Sequence, residues 1–173
     1  MGLFKKLAEK TAAGLPDHPR EIAKLLSPGE SVVGWGHAHP LAFVTDKNAR
    51  RNGAIGMAIN IASQKSSEHQ HLAGADGSAA MSISRDLNGQ VTVAITDQRL
   101  TFWSFGATMR DVPPTLLASF PRRDVRWISK TGGSNQYGSY VRFSFADESF
   151  IDFSVMDRTM CASFFAAAAD IGR

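Results

Sequence analysis

The second half of the chain, from Val91 to Arg173, carries the pattern that most constrains the fold. Apolar and polar residues alternate there in short runs, for example at Val141, Phe143 and Phe145. Successive side chains on a β-strand point to opposite faces, so this alternation predicts strands with one buried face. Three paired strand runs precede a segment with helical spacing. The pattern predicts an all-β fold with helices, a β-sandwich or partly open barrel.

The loop lengths of two hairpins follow from the side chains that must share a face. If Ile95 faces Leu100, the loop between them must contain an even number of residues. If Phe145 faces Ile151, the connection must contain an odd number. The second hairpin is therefore predicted to have a three-residue or bulged turn.

The final segment is predicted to be an amphipathic helix that covers the sandwich. Asp157 is a suitable N-cap residue, and the helix is expected to run through Ile171. Phe164 and Cys161 lie on its apolar stripe, so one face should be buried. Cys161 is the single cysteine of the chain, and we interpret it as a buried structural thiol, not as a nucleophile.

Three further strands are predicted from short apolar runs: Ser31–His39, Thr115–Phe120 and Asp124–Ser129. On the last of these, Val125 and Trp127 are two positions apart and are predicted to share a face.

The chain is predicted to have a helical leader, residues 1–29, and one domain, residues 30–173, with an insertion at residues 46–80. Its length of 173 residues suits a single domain with its own core.

Outside the strands, three short helices and one flexible loop are predicted. Leu3–Ala13 and Arg20–Leu26 have helical apolar spacing, and the basic face of the first either docks on the domain or contacts anionic lipid. Within the insertion, Ala54–Ala62 has small residues at helical spacing, and Ser63–Ala80 is predicted to be a flexible loop.

Composition and motifs bear on the class of function. No nucleophile elbow, phosphate loop, dinucleotide fingerprint or Cys-x-x-Cys pair is present, so we predict a non-enzyme without a cofactor. The net charge of +3 is a mild bias toward anionic partners, and the scattered basic residues do not predict nucleic-acid binding. Without a transmembrane or signal segment, the predicted location is the cytoplasm, with a peripheral position at the inner membrane face as the alternative.

Two His-x-His pairs are the candidate metal ligands. Histidines two positions apart on a strand share a face, so His37, His39, His69 and His71 together offer four imidazoles to zinc, nickel or copper. The alternative is that the first pair closes a strand before a proline while the second lies in a loop.

Trp103 and Phe105 form a candidate interaction surface. The parity that turns Leu100 and Phe102 inward places these two aromatic residues on the opposite face of the sheet. The insertion helix or the N-terminal helix packs over them, or they are offered to a partner or a second copy.

Three segments resemble bacterial pleckstrin-homology-like (PH-like) domains: Leu26–Val32, Val93–Leu100 and Ala118–Val125. The resemblance extends over roughly residues 20–173. It implies a seven-stranded, strongly bent sandwich capped by the C-terminal α-helix, and relatives of this kind bind lipids, peptides or proteins. Fold alone does not define function.

In lipid-binding members of the resembled family, basic residues after the first strand hold phosphates, and Lys47, Arg50 and Arg51 are the nearest match here. We therefore expect a non-enzymatic interaction module that binds a protein partner, itself or an anionic membrane surface. The alternative is a metal-binding protein or metal-dependent hydrolase that uses the His-x-His pairs.

Overall fold

The computed structural model describes residues 16–41, 71–87, 89–106, 113–157 and 161–172. Within them the chain forms three α-helices: α1 (His18–Ala23), α2 (Ala79–Asp86) and α3 (Ala162–Ala168). The same residues contain eight strands: β1 (Val32–Pro40), β2 (Leu72–Ala73), β3 (Val91–Thr96), β4 (Arg99–Ser104), β5 (Thr115–Pro121), β6 (Val125–Asn135), β7 (Gly138–Phe145) and β8 (Phe150–Val155). The helices predicted over Leu3–Ala13 and Ala54–Ala62 lie outside the described residues.

The strands form one antiparallel, unclosed sheet in the order β5-β4-β3-β1-β8-β7-β6, with β2 paired to β8. The bent sheet and the C-terminal helix confirm the predicted fold class, an all-β sandwich with helices. The two-residue β2 was not predicted, because so short a strand carries no alternation to recognise. Among the described residues, no helix combines the length and apolar character needed to cross a bilayer.

The first predicted hairpin, β3–β4, has the expected register. Ile95 pairs with Leu100, and Val93 pairs with Phe102. All four side chains are fully buried in the main core. The alternation of apolar residues was sufficient to predict this register, because a shift by one residue would turn all the apolar side chains to the other face of the sheet.

The second predicted hairpin, β7–β8, has the predicted turn but a different register. The Phe145 N–H donates to the Ser149 carbonyl (2.9 Å), which encloses the predicted three-residue turn. Ile151 pairs with Phe143, so the predicted pairing of Ile151 with Phe145 is wrong. The predicted pairing would leave five residues between Phe145 and Ile151, whereas the turn has three, with Glu148 at a φ of 65°. The resulting shift of two residues leaves every side chain on its expected face.

A β-bulge at the start of β6 contradicts the prediction that Val125 and Trp127 share a face. Val125 pairs with Phe145 and Trp127 with Ser144, so one residue of β6, Arg126, has no partner in the ladder. Val125 is buried, whereas Trp127 is exposed. The extra residue breaks the alternation, which a pattern with period two assumes to be continuous.

The motifs that carry the PH-like resemblance meet where β1 begins. The Glu30 carboxylate accepts hydrogen bonds from Thr96 Oγ1 (2.7 Å) and Arg99 Nε (2.8 Å). The Ser31 N–H donates to Asp97 Oδ1 (3.0 Å). The bonds from Arg99 are the main reason that the pKa of Glu30 is lowered. These contacts fix the β3–β4 turn against the segment that leads into β1.

Helix α3 begins later than predicted. Its N-cap residue is Cys161, which is buried as expected, and the helix starts at Ala162. Asp157 does not cap it: this carboxylate accepts hydrogen bonds from Lys130 Nζ (3.0 Å) and from the Ser139 hydroxyl. Because side chains on β6 and β7 compete for the carboxylate, a local N-cap rule gave the wrong start.

Helix α3 packs on β1 at two glycines. A Cβ atom added at Gly34 would lie 2.6 Å from both the Ala167 Cβ and the Ser163 carbonyl oxygen. Phe164 is fully buried beside Gly36, and its ring centroid is 6.0 Å from that of Phe143. Because Gly34 and Gly36 have no side chains, α3 lies close to β1 and covers the core.

The end of the predicted loop Ser63–Ala80 is not a loop, because it contains β2 and the start of α2. The first amides of α2 are bonded by the β7–β8 turn: the Ala79 N–H donates to Asp147 Oδ2 (2.8 Å) and the Ala80 N–H to Ser149 Oγ (3.1 Å). Ile83 is buried in the main core. These capping partners are more than sixty residues away in sequence, so no local signal marked the helix start.

Candidate anion-binding groove

Four of the predicted site residues, His69, Lys47, Arg50 and Arg51, lie outside the described residues. Trp103 and Phe105, the candidate interaction surface, are 2% and 0% exposed. This burial corrects the prediction of an exposed surface. The cover comes from helix α1, which overlaps the predicted segment Arg20–Leu26, whereas the N-terminal helix and the insertion helix named as covers lie outside the described residues.

The remaining predicted metal ligands have other contacts. His37 and His39 lie on the same face of β1, and the His39 ring stacks on Tyr137 with 4.3 Å between centroids. The His37 ring meets Trp35 edge to face at 5.3 Å. Over the part of the chain that the structure describes, no group of three or more His, Cys, Asp or Glu side chains is arranged to hold a metal ion.

His71 belongs to a buried ionic cluster on β7 and β8. The Asp152 carboxylate, 1% exposed, accepts two hydrogen bonds from Arg142, at 2.8 and 2.9 Å. His71 Nδ1 lies 3.1 Å from the same carboxylate. A buried carboxylate needs such partners, so His71 is placed to tie the start of β2 to β8.

A groove with three arginines lies where the short 3₁₀ turn Arg122–Asp124 meets the end of α3. Its volume is about 540 Å³. It is lined by Arg122, Arg123, Val125, Arg126, Asp170, Ile171 and Gly172. The residues come from two segments about fifty positions apart, so the groove exists only in the folded chain.

Backbone contacts hold both sides of this groove. The Arg122 N–H donates to the Gln98 carbonyl (2.9 Å), which fixes the 3₁₀ turn to the β3–β4 turn. Gly172 has a φ of 87°, and an added Cβ would lie 2.3 Å from the Arg126 carbonyl oxygen. Only glycine combines this backbone conformation with so close an approach. The chain after α3 therefore lies in close contact with the start of β6.

The charges in the groove favour an anion. The groove is lined by three arginines and one carboxylate, that of Asp170, so positive charge is in excess. Arg122 Nη2 donates to the backbone carbonyl oxygen of Asp170 (3.4 Å), a neutral acceptor. Arg123 Nε is 3.8 Å from Asp124 Oδ1, and both side chains are at least half exposed, so water screens this pair. Guanidinium groups present planar pairs of donors that match phosphate and carboxylate oxygens.

An exposed indole stands beside the arginines. Trp127, 38% exposed, follows Arg126 in the β6 bulge. A Cβ added at Gly172 would be 3.6 Å from the Trp127 Cβ, which places the tryptophan at the rim of the groove. Tryptophan side chains favour the interface between lipid and water because the ring is amphipathic. Basic groups and an exposed aromatic residue therefore occur together at this site.

A second groove, of about 510 Å³, has a different character. Its lining comprises Asn135, Gln136, Tyr137, Gly138, Met156 and Asp157. The hydrogen bond from Ser139 and the contact with Lys130 hold the pKa of Asp157 below its usual value, so its carboxylate is charged at neutral pH. Because the lining contains this carboxylate and no cation, the groove is a poor match for an anionic ligand.

Arg122 and Arg123 lie between the predicted strands Thr115–Phe120 and Asp124–Ser129, where the sequence pattern gives them no further role. Three arginines within five residues are a visible signal of local positive charge. The contribution of Asp170 to Gly172 carried no such signal, because it depends on where α3 ends. The exposure of Trp127 was also hidden, since the bulge reverses its expected face.

Comparison with known proteins identifies no family model that matches the chain. The curated proteins contain no match to it either. The class of fold therefore rests on the structure itself, and the function is argued from the groove.

Proposed function

We propose that this chain is a non-enzymatic interaction module that binds an anionic membrane surface through Arg122, Arg123 and Arg126. The observation that carries the proposal is the grouping of three arginines in one groove with Trp127 at its rim. The PH-like resemblance supports an interaction module in general. Direct contact between phosphate-bearing headgroups and guanidinium groups is the expected mode of binding.

The strength of the interaction follows from the number of charges. Each Lys or Arg near an anionic bilayer contributes roughly 1 kcal/mol. Three arginines would then supply about 3 kcal/mol, which is weak and reversible binding at physiological salt. Trp127 adds apolar contact with the interfacial region. A protein partner with an acidic surface would use the same arginines and the same indole, because tryptophan is also enriched in protein interfaces. We propose the membrane, and failure to bind anionic vesicles is the outcome that favours a protein partner.

Sedimentation with vesicles tests the proposal. We expect the protein to bind vesicles of phosphatidylcholine mixed with phosphatidylserine and to remain in solution with phosphatidylcholine alone. Arg126→Glu changes the local charge by two units, which should weaken binding roughly 30-fold. Trp127→Ala should weaken it by a smaller factor.

Arg20→Glu is the matched control, because Arg20 is an exposed arginine on α1 outside the groove. It makes the same change in net charge, and we expect it to alter vesicle binding by less than about threefold, in line with the screening of distant charges. Equal losses in the two variants would mean that binding follows net charge and not the groove. Failure of the unmodified protein to bind anionic vesicles would remove the membrane proposal.

A further inference from the structure

A second apolar cluster lies on the outer face of the sheet, apart from the main core. Its buried members are Ile22, Ala94, Trp103 and Phe105. Ile22 comes from α1, and the other three residues come from β3, β4 and the residue after β4. Helix α1 has six residues and is too short to be stable without tertiary contacts. Its attachment to the sheet therefore decides whether Trp103 and Phe105 are covered.

His18, at the start of α1, is the polar residue in this contact. Its side chain is 4% exposed, and its ring stacks on Phe105 with 3.7 Å between centroids. His18 Nδ1 is 2.7 Å from Thr92 Oγ1. A neutral imidazole satisfies this arrangement, because one ring nitrogen bonds with the hydroxyl while the ring face lies on carbon atoms.

The groups around His18 give little support to a positive charge. From β1, His37 faces it edge-on with 4.7 Å between ring centroids, and His37 Nδ1 is 3.5 Å from the same Thr92 hydroxyl. The aromatic faces of Trp35 and Phe105 lie nearby and attract a cation, but this attraction is weaker than the hydration that a buried charge loses. Among the residues that the structure describes, the acidic group that acts on it is Asp17, an exposed residue whose carboxylate already accepts the Arg20 N–H (3.3 Å).

We infer that α1 is a proton-released cover: protonation of His18 detaches α1 from the sheet and exposes Trp103 and Phe105. His18 and Ile22 contact the second cluster. Neither residue belongs to the main core or to a strand ladder. Release of α1 consequently leaves the sandwich intact. What becomes exposed is the aromatic surface that the alternation of β4 places opposite the core.

The direction of the pH dependence follows from burial. Burial, with a smaller contribution from His37, lowers the pKa of His18 from 6.5 to about 4, while Asp17 opposes the shift. Detached α1 then binds a proton more readily than docked α1. Docking is strongest above pH 6.5 and weakens as the pH falls, by roughly 300-fold in the docking equilibrium once the pH is well below 4.

Hydrogen exchange measured by mass spectrometry between pH 4 and 7.5, corrected for intrinsic rates, tests the inference. We expect protection of the α1 amides to fall about 60-fold between pH 7 and pH 4.5, while protection of β7 and β8 is retained. His18→Gln, which still offers a group to Thr92 but does not titrate, should remove this dependence. His39→Gln should leave it unchanged, since His39 stacks on Tyr137 and is the matched control.

Two results would overturn the inference. One is parallel loss of protection in α1 and in the strands, which indicates global unfolding; the other is unchanged pH dependence in His18→Gln. Because the glutamine variant could already be detached at pH 7, a titration of the His18 ring signals by NMR in the unmodified protein provides an independent check. Because protonation and release are coupled, a midpoint between the docked value of about 4 and the free value of 6.5 is expected. A midpoint near 6.5 contradicts a buried neutral ring, and a midpoint near 4 with α1 still protected from exchange means that the ring is protonated without release.

Discussion

Replacing Phe164 by Ala is expected to lower the free energy of unfolding by about 3–5 kcal/mol, a large part of the stability of a domain this size. The side chain is fully buried between α3 and the sheet, beside Gly36 and within 6.0 Å of the Phe143 ring centroid. Its removal loses apolar contact and leaves a cavity that the rigid sheet cannot fill.

Urea unfolding followed by circular dichroism measures this loss. Phe165→Ala is the matched control, because the neighbouring ring on the same helix is only partly buried and lies under Lys130. We expect the control to lose about 1–2 kcal/mol, in proportion to its smaller burial. Equal losses in the two variants would show that α3 does not bury Phe164 in the core.

The second large effect is expected at Gly34. An added methyl group would lie 2.6 Å from the Ala167 Cβ and from the Ser163 carbonyl oxygen, and the latter belongs to the backbone of α3. Because backbone cannot rotate aside, Gly34→Ala must push α3 away from β1. We expect a loss of about 2–3 kcal/mol, at the upper end of typical overpacking.

Gly36→Ala is the control for Gly34, since it adds the same methyl group to the same face of β1. There the nearest atoms, the Cβ and Cγ of Phe164, are 3.4 Å away, close to ordinary contact. Thermal unfolding should show a clearly smaller decrease for Gly36→Ala than for Gly34→Ala. The reverse order would mean that α3 is not seated on β1 as described.

The part of the fold that could be predicted depends on contacts between neighbours in sequence. The β3–β4 register follows from the alternation of residues such as Ile95 and Leu100, because one buried face fixes which residues pair. The apolar stripe of α3 likewise gave the burial of Phe164. Each of these patterns is local and complete within about fifteen residues.

The errors arose where distant residues determine local structure. Asp157 resembles an N-cap, but Lys130 and Ser139 bind its carboxylate. The start of α2 is capped by Asp147 and Ser149, which lie in the β7–β8 turn, far from α2 in sequence. No local rule includes such partners.

The candidate site was hidden for the same reason. The arginines at positions 122, 123 and 126 are evident in the sequence, but the groove also requires the chain at Gly172 to press on the carbonyl of Arg126. For Trp103 and Phe105 the alternation correctly predicted the face of the sheet opposite the main core. Its cover, α1, could not be assigned without the contact between His18 and Phe105.

The most direct test of the account is an NMR titration of the protein with nanodiscs that contain phosphatidylserine. We expect the largest changes at the backbone amides of Arg122 to Trp127 and at the Trp127 indole, with little change in α1 or at Tyr137. Largest changes at α1 or Tyr137, or a spectrum unaffected by the anionic nanodiscs, would contradict membrane binding through the arginine groove.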